Sequence, residues 1–350
     1  MDIAKRSEHN PLLKPSELKP GMEGMEIACL LNPGVFRYGN KIRLLLRVAE
    51  RPIQQKGKIS FPVYDAHGKT KVLSFDVNDP ELDANDPRVI RHKGQDYLTS
   101  LSYLRLVSSE DGIHFRDDPE YPPLFGQGIQ ECFGIEDCRV ATTADGYFLS
   151  FTQVSHLGVG VGLIHTADWK TYTRYGMILP PHNKDCALFE EAVNNRFYAL
   201  HRPSSPELGG NYIWLAESPD RLHWGNHTCI VTTRKNSWDC ARVGAGSSPI
   251  KTKEGWLEIY HGADEHNRYC LGAFLVDLHT PSKVLARSRE PIMEPVAPYE
   301  QTGFFGHVVF SNGHLSDPDD PDRIILYYGA SDSVVCRAEF SLTEILNSLE

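Results

Sequence analysis

Along most of this chain, short apolar and aromatic runs stop at Gly, Asn or Asp and then start again. Gly146-Tyr147-Phe148-Leu149-Ser150-Phe151, Arg196-Phe197-Tyr198-Ala199-Leu200-His201, Gly255-Trp256-Leu257-Glu258-Ile259-Tyr260 and Asp322-Arg323-Ile324-Ile325-Leu326-Tyr327-Tyr328 each follow a turn signal. Runs of this length, rich in aromatic and β-branched residues and bounded by turn formers, predict strands joined as hairpins. Helical periodicity is nearly absent. Only residues 16–22 and 342–349 offer modest helical stretches.

The strands come in groups. An aspartate one to four residues before an aromatic recurs in Ser109-Glu110-Asp111-Gly112-Ile113-His114-Phe115, Thr166-Ala167-Asp168-Trp169-Lys170-Thr171-Tyr172 and Ser218-Pro219-Asp220-Arg221-Leu222-His223-Trp224. These aspartates are 57 and 52 residues apart, and another 57 residues lead to Asp277, where the aromatic is lost. A four-stranded unit repeating every ~50–60 residues predicts β-propeller blades, and a chain of this length holds five. Pairing the two chain ends would close the ring and remove exposed edges. The expected fold is therefore all-β, a five-bladed β-propeller, with residues 1–24 as an N-terminal extension and 25–350 as one domain. A pair of β-sandwiches would leave the regular spacing unexplained.

A second pattern places a carboxylate or amide just before an apolar strand. It reads Asn32-Pro33-Gly34-Val35, Asp86-Pro87-Arg88-Val89, Glu136-Asp137-Cys138-Arg139-Val140 and Lys184-Asp185-Cys186-Ala187-Leu188, with a looser copy from Gly244 to Ile250. In a propeller the innermost strands start near the axis, so Asn32, Asp86, Asp137 and Asp185 would converge there. Neighbours on a strand face opposite ways, so at most one of Glu136 and Asp137 is expected in a shared cavity. The plainer alternative is that Asp137 caps its strand and pairs with Arg139. Cationic candidates are Arg47, Lys184, Arg202 and His261. Arg47 and Arg202 end apolar strands, where an unpaired charge is costly, so each needs either an internal aspartate or a bound anion such as phosphate.

Composition narrows the classes. A formal charge of -10 argues against non-specific binding to nucleic acid or anionic membrane. No apolar run is long enough to span a bilayer, and Met1-Asp2-Ile3-Ala4-Lys5-Arg6 lacks the apolar core of a signal peptide, so a cytoplasmic protein is expected. The eight cysteines form no C-x-x-C pair and are expected as buried free thiols. His261 has no second histidine at ligand spacing on its strand, so no metal site is expected, and no Gly-x-Ser-x-Gly elbow marks a serine hydrolase.

Taken in order, Glu136-Asp137-Cys138-Arg139, Asn183-Lys184-Asp185, His201-Arg202-Pro203, Gly244-Ala245-Gly246, Gly255 to Gly262 and Tyr327-Tyr328-Gly329-Ala330-Ser331-Asp332 resemble the signatures of glycoside hydrolase family 130. These are the β-mannoside phosphorylases and related β-mannosidases, which are five-bladed propellers, and the likeness covers roughly residues 25 to 345. It implies that Asp137 is the catalytic acid, protonating the leaving sugar's oxygen by relay through a hydroxyl of the bound mannose. Arg47, Lys184, Arg202, His261 and Tyr269 match phosphate-holding positions. Asn32, Asp86, Arg88, Asp185 and Asp332 match positions near the mannosyl ring. The chain departs from the family pattern at Cys138, at Leu188-Phe189-Glu190-Glu191 and at Lys184-Asp185, where some phosphorylases carry Arg-Asn.

The expected activity is thus that of a glycosyltransferase-type phosphorylase, with inorganic phosphate as co-substrate and no other cofactor. It would cleave a β-1,2- or β-1,4-linked mannoside to α-mannose 1-phosphate. An inverting phosphorylase needs an acid and a cationic cradle; an inverting hydrolase needs a second carboxylate as base. The alternative, a phosphate-independent exo-β-mannosidase, would recruit Glu190, Glu191 or Asp239 as that base. A non-catalytic sugar-binding propeller would need no proton donor, and a sialidase-like propeller lacks the full repeat pattern. A homo-oligomer is compatible with the resemblance. Rim loops 49–60, 153–162 and 203–212 would set linkage and acceptor.

Overall fold

The computed structural model describes residues 2–65, 69–86, 88–204 and 209–350. The protein is all-β. Five antiparallel sheets follow one another along the chain, each with a main path of four strands. The first runs Met25–Tyr38, Lys41–Pro52, Leu101–Ser109 and Arg116–Asp117; the second Ile135–Thr143, Gly146–Ser155, Gly158–Thr166 and Thr173–Leu179. The third runs Asn183–Leu188, Phe197–Pro203, Ile213–Ser218 and Gly225–Val231; the fourth Arg242–Gly244, Trp256–Ala263, Tyr269–Val276 and Val284–Arg287. In the fifth, Val309–Ser316, Arg323–Ala330 and Val334–Ser341 are completed by Lys5–Arg6 from the other end of the chain.

Each sheet buries an apolar face against its neighbour. Phe36 of the first sheet stacks on Trp169 of the second at 3.8 Å between ring centroids, inside a cluster that also holds Leu45, Leu104, Ile135 and Leu149. Leu163 with Leu188 joins the second to the third, and Leu200 with Phe274 joins the third to the fourth. Leu271 with Leu326 joins the fourth to the fifth, and Tyr327 with Leu44 joins the fifth back to the first. Truncating a fully buried aromatic such as Trp169 in clusters of this kind costs about 3–5 kcal/mol.

The aspartate-aromatic landmarks are turns between the third and fourth strands. Asp111 Oδ1 accepts the backbone N–H groups of Ile113 and His114, Asp168 those of Lys170 and Thr171, and Asp220 those of Leu222 and His223. Asp277 does the same with His279 and Thr280, so the turn survives loss of the aromatic. An aspartate holding two successive amides is the local rule the period reported.

The polar repeat has an equally local cause. In the innermost strands the pairing register slips between Leu31 and Gly34, Glu136 and Arg139, Lys184 and Ala187, and Ser311 and Gly313. These β-bulges carry Asn32, Asp137, Asp185 and Asn312, and Asp137 and Asp185 take left-handed backbone angles, with φ of 47° and 51°. A bulge re-aims side chains that regular alternation would turn away. Asp86 is not one of these copies. It precedes Val89–His92 in a small sheet that, with the Lys58–Tyr64 and Thr70–Asp76 hairpin, is inserted between the second and third strands of the first sheet. Pro87 and part of the 203–212 loop lie outside the described residues.

Of the two helical stretches, Leu342–Asn347 is α-helical, capped by Ser341 Oγ accepting from Glu344 N–H. Residues 16–22 are not a helix. A single 3-10 turn covers Pro15–Glu17, and beyond it the N–H groups of Gly21 and Met22 are taken by the carboxylate of Glu50. All eight cysteines are free thiols, five of them buried.

Candidate active site

The bulged ends of the innermost strands, the inserted small sheet and the segment before the fifth sheet enclose a cavity of about 350 Å³. Asn32, Arg47, Arg88, Asp137, Lys184, Asp185, Tyr269 and Asp332 line it, eight of the eleven residues expected at the site. Phe304, Phe305 and Phe310 supply apolar wall. A cavity of this size, largely apolar with a few convergent polar groups, suits a small ligand.

Asp137 sits at its base, 7% exposed. Its Oδ1 accepts from Asn32 Nδ2 and from Arg47 Nη1, each at 3.0 Å, and Arg47 Nη2 donates to Glu136 Oε1 at 2.7 Å. Both Glu136 and Asp137 line the cavity, against the alternation expected of neighbours on a strand, because the bulge and the left-handed turn at Asp137 break it. Arg139 does not pair with the Asp137 carboxylate; it donates to the Asp137 backbone carbonyl at 2.9 Å. Burial opposes ionisation of Asp137, but Arg47, Arg139 and Lys184 outweigh it and hold the carboxyl below its ordinary value.

Asp185 is a hub, 1% exposed. It accepts from Arg139 Nη2 at 3.2 Å and Arg202 Nε at 2.7 Å, and His261 Nε2 lies 3.3 Å away. Burial raises its pKa, but Arg202, His261 and Arg139 together hold it well below the usual carboxylate range. A Cβ on Gly244 would come within 2.4 Å of His261 Nε2 and 2.5 Å of Asp185 Oδ2, so glycine there is what lets the pair approach. Arg202 and His261 are not on the cavity wall; they stand behind Asp185. His261 is fully buried, and burial pushes its pKa down to about 4 despite Asp185, which leaves a neutral imidazole at pH 7.

Two cations on the wall have no acidic partner among the described residues. Lys184 is half-buried and its amine makes no ion pair. Arg242, which the sequence reading missed, opens the innermost strand of the fourth sheet and also lines the cavity. Its Nη1 donates to Tyr269 Oη at 2.8 Å and its Nη2 to Asn267 Oδ1 at 2.9 Å, while its buried Nε has no partner. The available signal was its position two residues before Gly244-Ala245-Gly246, where the first strand of the fourth sheet begins. Arg47 and Arg202, by contrast, are already ion-paired with carboxylates.

Asp332, also on the cavity wall and with φ of 49°, makes no ion pair among the described residues, and burial raises its carboxyl to about 6, against the pull of Arg47. Asn32 leaves its Oδ1 without a partner. A Cβ on Gly329 would fall 2.4 Å from that oxygen, which accounts for the glycine beside the tyrosine pair. Arg88 spreads over the Phe305 ring at 5.3 Å and pairs with Asp86 at 3.0 Å; Asp86 itself is off the wall. The proposed hydrolytic bases are also elsewhere. Glu190 accepts the Thr142 N–H, Glu191 pairs with Lys251, and Asp239 is consumed by Arg234, Arg287 and Tyr260. Among the described residues no group of three or more His, Cys, Asp or Glu is arranged to hold a metal ion.

Four carboxyl residues (Glu136, Asp137, Asp185 and Asp332), two cations without an acidic partner among the described residues, and polar groups with spare hydrogen-bonding capacity make a site for a sugar and an anion. Comparison with known proteins agrees. The family model for glycoside hydrolase family 130, described as β-1,4-mannooligosaccharide phosphorylase, matches residues 100–350. The chain is 45% identical over 351 residues to a β-1,2-mannobiose phosphorylase of Listeria innocua, covering 99% of this chain and 98% of that protein. A 1,2-β-oligomannan phosphorylase of a Thermoanaerobacter species is 38% identical over 258 residues, 71% of this chain and 81% of its own. The solved β-1,2-mannobiose phosphorylase from Listeria innocua, in complex with β-1,2-mannobiose, superposes with a TM-score of 0.94 at 43% identity, over 99% of this chain and 98% of that one. The chain therefore belongs to glycoside hydrolase family 130.

Proposed function

We propose that this protein is an inverting phosphorylase that moves the mannosyl unit of a β-mannoside onto inorganic phosphate, releasing α-mannose 1-phosphate. The observation that carries the reading is the presence of Lys184 and Arg242, without acidic partners among the described residues, in the same cavity as the Asp137 carboxyl. A buried-edge cation with no internal acid is compensated best by an anion brought from solution, each charged hydrogen bond contributing about 1.5–3 kcal/mol. The relatives at 45% and 38% identity are phosphorylases named for β-1,2-linked mannosides, which makes β-1,2-mannobiose the first donor to test.

In this reading Lys184, Arg242, Arg47 and Tyr269 face the phosphate, and Arg202 and neutral His261 hold Asp185 from behind. Asn32, Asp185 and Asp332 take the mannosyl hydroxyls, with Arg88, steadied by Asp86, over the departing sugar. Asp137 gives its proton toward the leaving oxygen as the C1–O bond breaks. A phosphate oxygen forms the new bond on the opposite face, which inverts the centre. Phosphate is its own nucleophile, so no base is required. Binding the anion also cancels part of the cationic field on Asp137 and so favours the protonated acid. The five sheets are read as blades of a closed propeller, supported by their cyclic apolar clusters and by Lys5–Arg6 pairing with the last sheet. Residues 25–350 are then one catalytic unit, and the N-terminal residues fasten it. A cytoplasmic site of action suits a charged sugar phosphate product.

The test is turnover of β-1,2-mannobiose with and without phosphate. Loss of turnover when phosphate is withheld is expected. Equal consumption in both cases would favour the exo-β-mannosidase alternative, and binding without turnover would favour a sugar-binding propeller.

A further inference from the structure

Arg139 is the most deeply buried arginine among the described residues, 2% exposed, and the proposed chemistry gives it no direct part. Its guanidinium donates to four oxygens on three separate stretches of chain, in the second sheet, the third sheet and the segment that follows the fourth sheet's first strand. Nη1 reaches the Asp137 carbonyl at 2.9 Å on its own strand. Nη2 reaches Asp185 Oδ1 of the third sheet at 3.2 Å and the Ala245 carbonyl beyond the fourth sheet's first strand at 2.9 Å. Nε reaches the Gly246 carbonyl at 2.8 Å. The Gly246 peptide is fixed from its other side as well, its N–H donating to Glu258 Oε1 at 2.7 Å.

The Asp137 carbonyl needs this donor. The pairing register runs from Glu136 opposite Thr152 to Arg139 opposite Ser150 and skips Asp137 and Cys138, so the ladder offers Asp137 no partner. A buried carbonyl left unpaired is costly, and an aspartate at φ 47° is held only if its surroundings determine it. The third sheet solves the same problem differently. There the register skips Asp185 and Cys186, and Ser150 Oγ donates to the Cys186 carbonyl at 2.6 Å.

We propose that Arg139 is a positioning residue for the reaction: by bridging the Asp137 bulge, Asp185 and the Ala245-Gly246 backbone it sets the catalytic carboxyl at a fixed distance from the anion side of the cavity. The inference rests on the reading of Asp137 as the acid. Four acceptors in separate directions require a planar fork with several donors, and a lysine ammonium in the same place satisfies fewer of them. Arg139 also acts on Asp137 by charge, together with the groups that face it from the other elements: Arg47 from the first sheet, Lys184 and Asp185 from the third, Asp332 after the fifth sheet's second strand, and Glu136 on its own strand. Fork geometry and charge are therefore separable by substitution.

The experiment compares Arg139→Lys and Arg139→Gln with the unmutated enzyme on β-1,2-mannobiose and phosphate, with circular dichroism to establish the folded fraction. Displacing the acid by a fraction of an ångström should lower kcat about 100-fold in both variants while KM for the mannoside changes less than about threefold. The alkaline limb of kcat/KM should move to higher pH in Arg139→Gln, which removes a positive charge from beside the acid, and stay in place in Arg139→Lys. Should Arg139→Gln not fold, Arg139→Lys carries the test through its kcat loss at an unmoved pH limb. Wild-type kcat in Arg139→Lys, a loss confined to KM, or a loss that only tracks the folded fraction would overturn the inference, as would failure of both variants to fold. If the unmutated enzyme makes no sugar phosphate, the phosphorylase reading falls first; if it does, these outcomes judge Arg139 alone.

Discussion

Replacing Lys184 by Met separates anion binding from stability more cleanly than any other change in the cavity. A phosphate charge about 4 Å from the ammonium would feel about 4 kcal/mol per unit charge at an effective dielectric of about 20. Measured losses of charged hydrogen bonds are smaller, about 1.5–3 kcal/mol, because water and neighbours respond. A loss of about 2–3 kcal/mol corresponds to a fall of about 30- to 150-fold in kcat/KM for phosphate. Lys184 has no ion-pair partner among the described residues, so its loss strands no carboxylate, and the half-buried chain is replaced by one of similar length. Unfolding free energy should therefore change by less than about 0.5 kcal/mol. Arg47→Met is the contrast: it leaves Glu136 and Asp137 without their cation and should destabilise by about 3 kcal/mol. Initial rates over a phosphate series at saturating mannoside, paired with thermal unfolding, read both quantities. Wild-type phosphate dependence in Lys184→Met would refute the assignment of this wall to the anion.

Asp137→Asn keeps the shape of the acid without its proton; turnover should fall by at least about 1,000-fold while calorimetry still detects mannoside binding. Asp332 holds its proton more tightly when folded, to about 6, than an unfolded aspartate at about 3.9, so stability is lost as pH rises between those values. Asp332→Asn should then raise stability by about 1–2 kcal/mol at pH 7.5, allowing for partial exposure, and by nothing measurable at pH 4. The sign follows because the native carboxyl is the one that resists ionisation. Arg47, Arg139 and Lys184 depress Asp137 in the free enzyme, and in the proposed reaction phosphate would offset them. The alkaline limb of kcat should therefore lie at higher pH than that of kcat/KM for phosphate, and coincident limbs would count against the coupling.

What could be read from the sequence was what is encoded locally. The strands and the Asp111, Asp168 and Asp220 turns depend on residues within four positions of each other, so they appear as a period in the text. The repeat of Asn32, Asp137 and Asp185 was visible too, but its cause was not. Regular alternation sends Glu136 and Asp137 to opposite faces, and only the bulge, a property of the pairing partner as much as of the strand, brings both into the cavity. Asp86 reads like another copy, yet it precedes a strand of an inserted sheet, because a few matching letters do not carry the strand pairing with them. The helical pattern over residues 16–22 lost to tertiary structure when Glu50 took the amides of Gly21 and Met22. Arg242 was passed over because it stands just outside the Gly244-Ala245-Gly246 motif, and the nearby Asp239 marks no site of its own. The significance of Arg242 comes from Lys184, 58 residues away in sequence and on the wall of the same cavity.

Product identity tests the central claim most directly. Phosphorus and proton NMR should follow β-1,2-mannobiose and inorganic phosphate incubated with the enzyme. One equivalent of α-mannose 1-phosphate and one of mannose should form for each disaccharide consumed, with phosphate falling in step. Two equivalents of free mannose with phosphate untouched would contradict it.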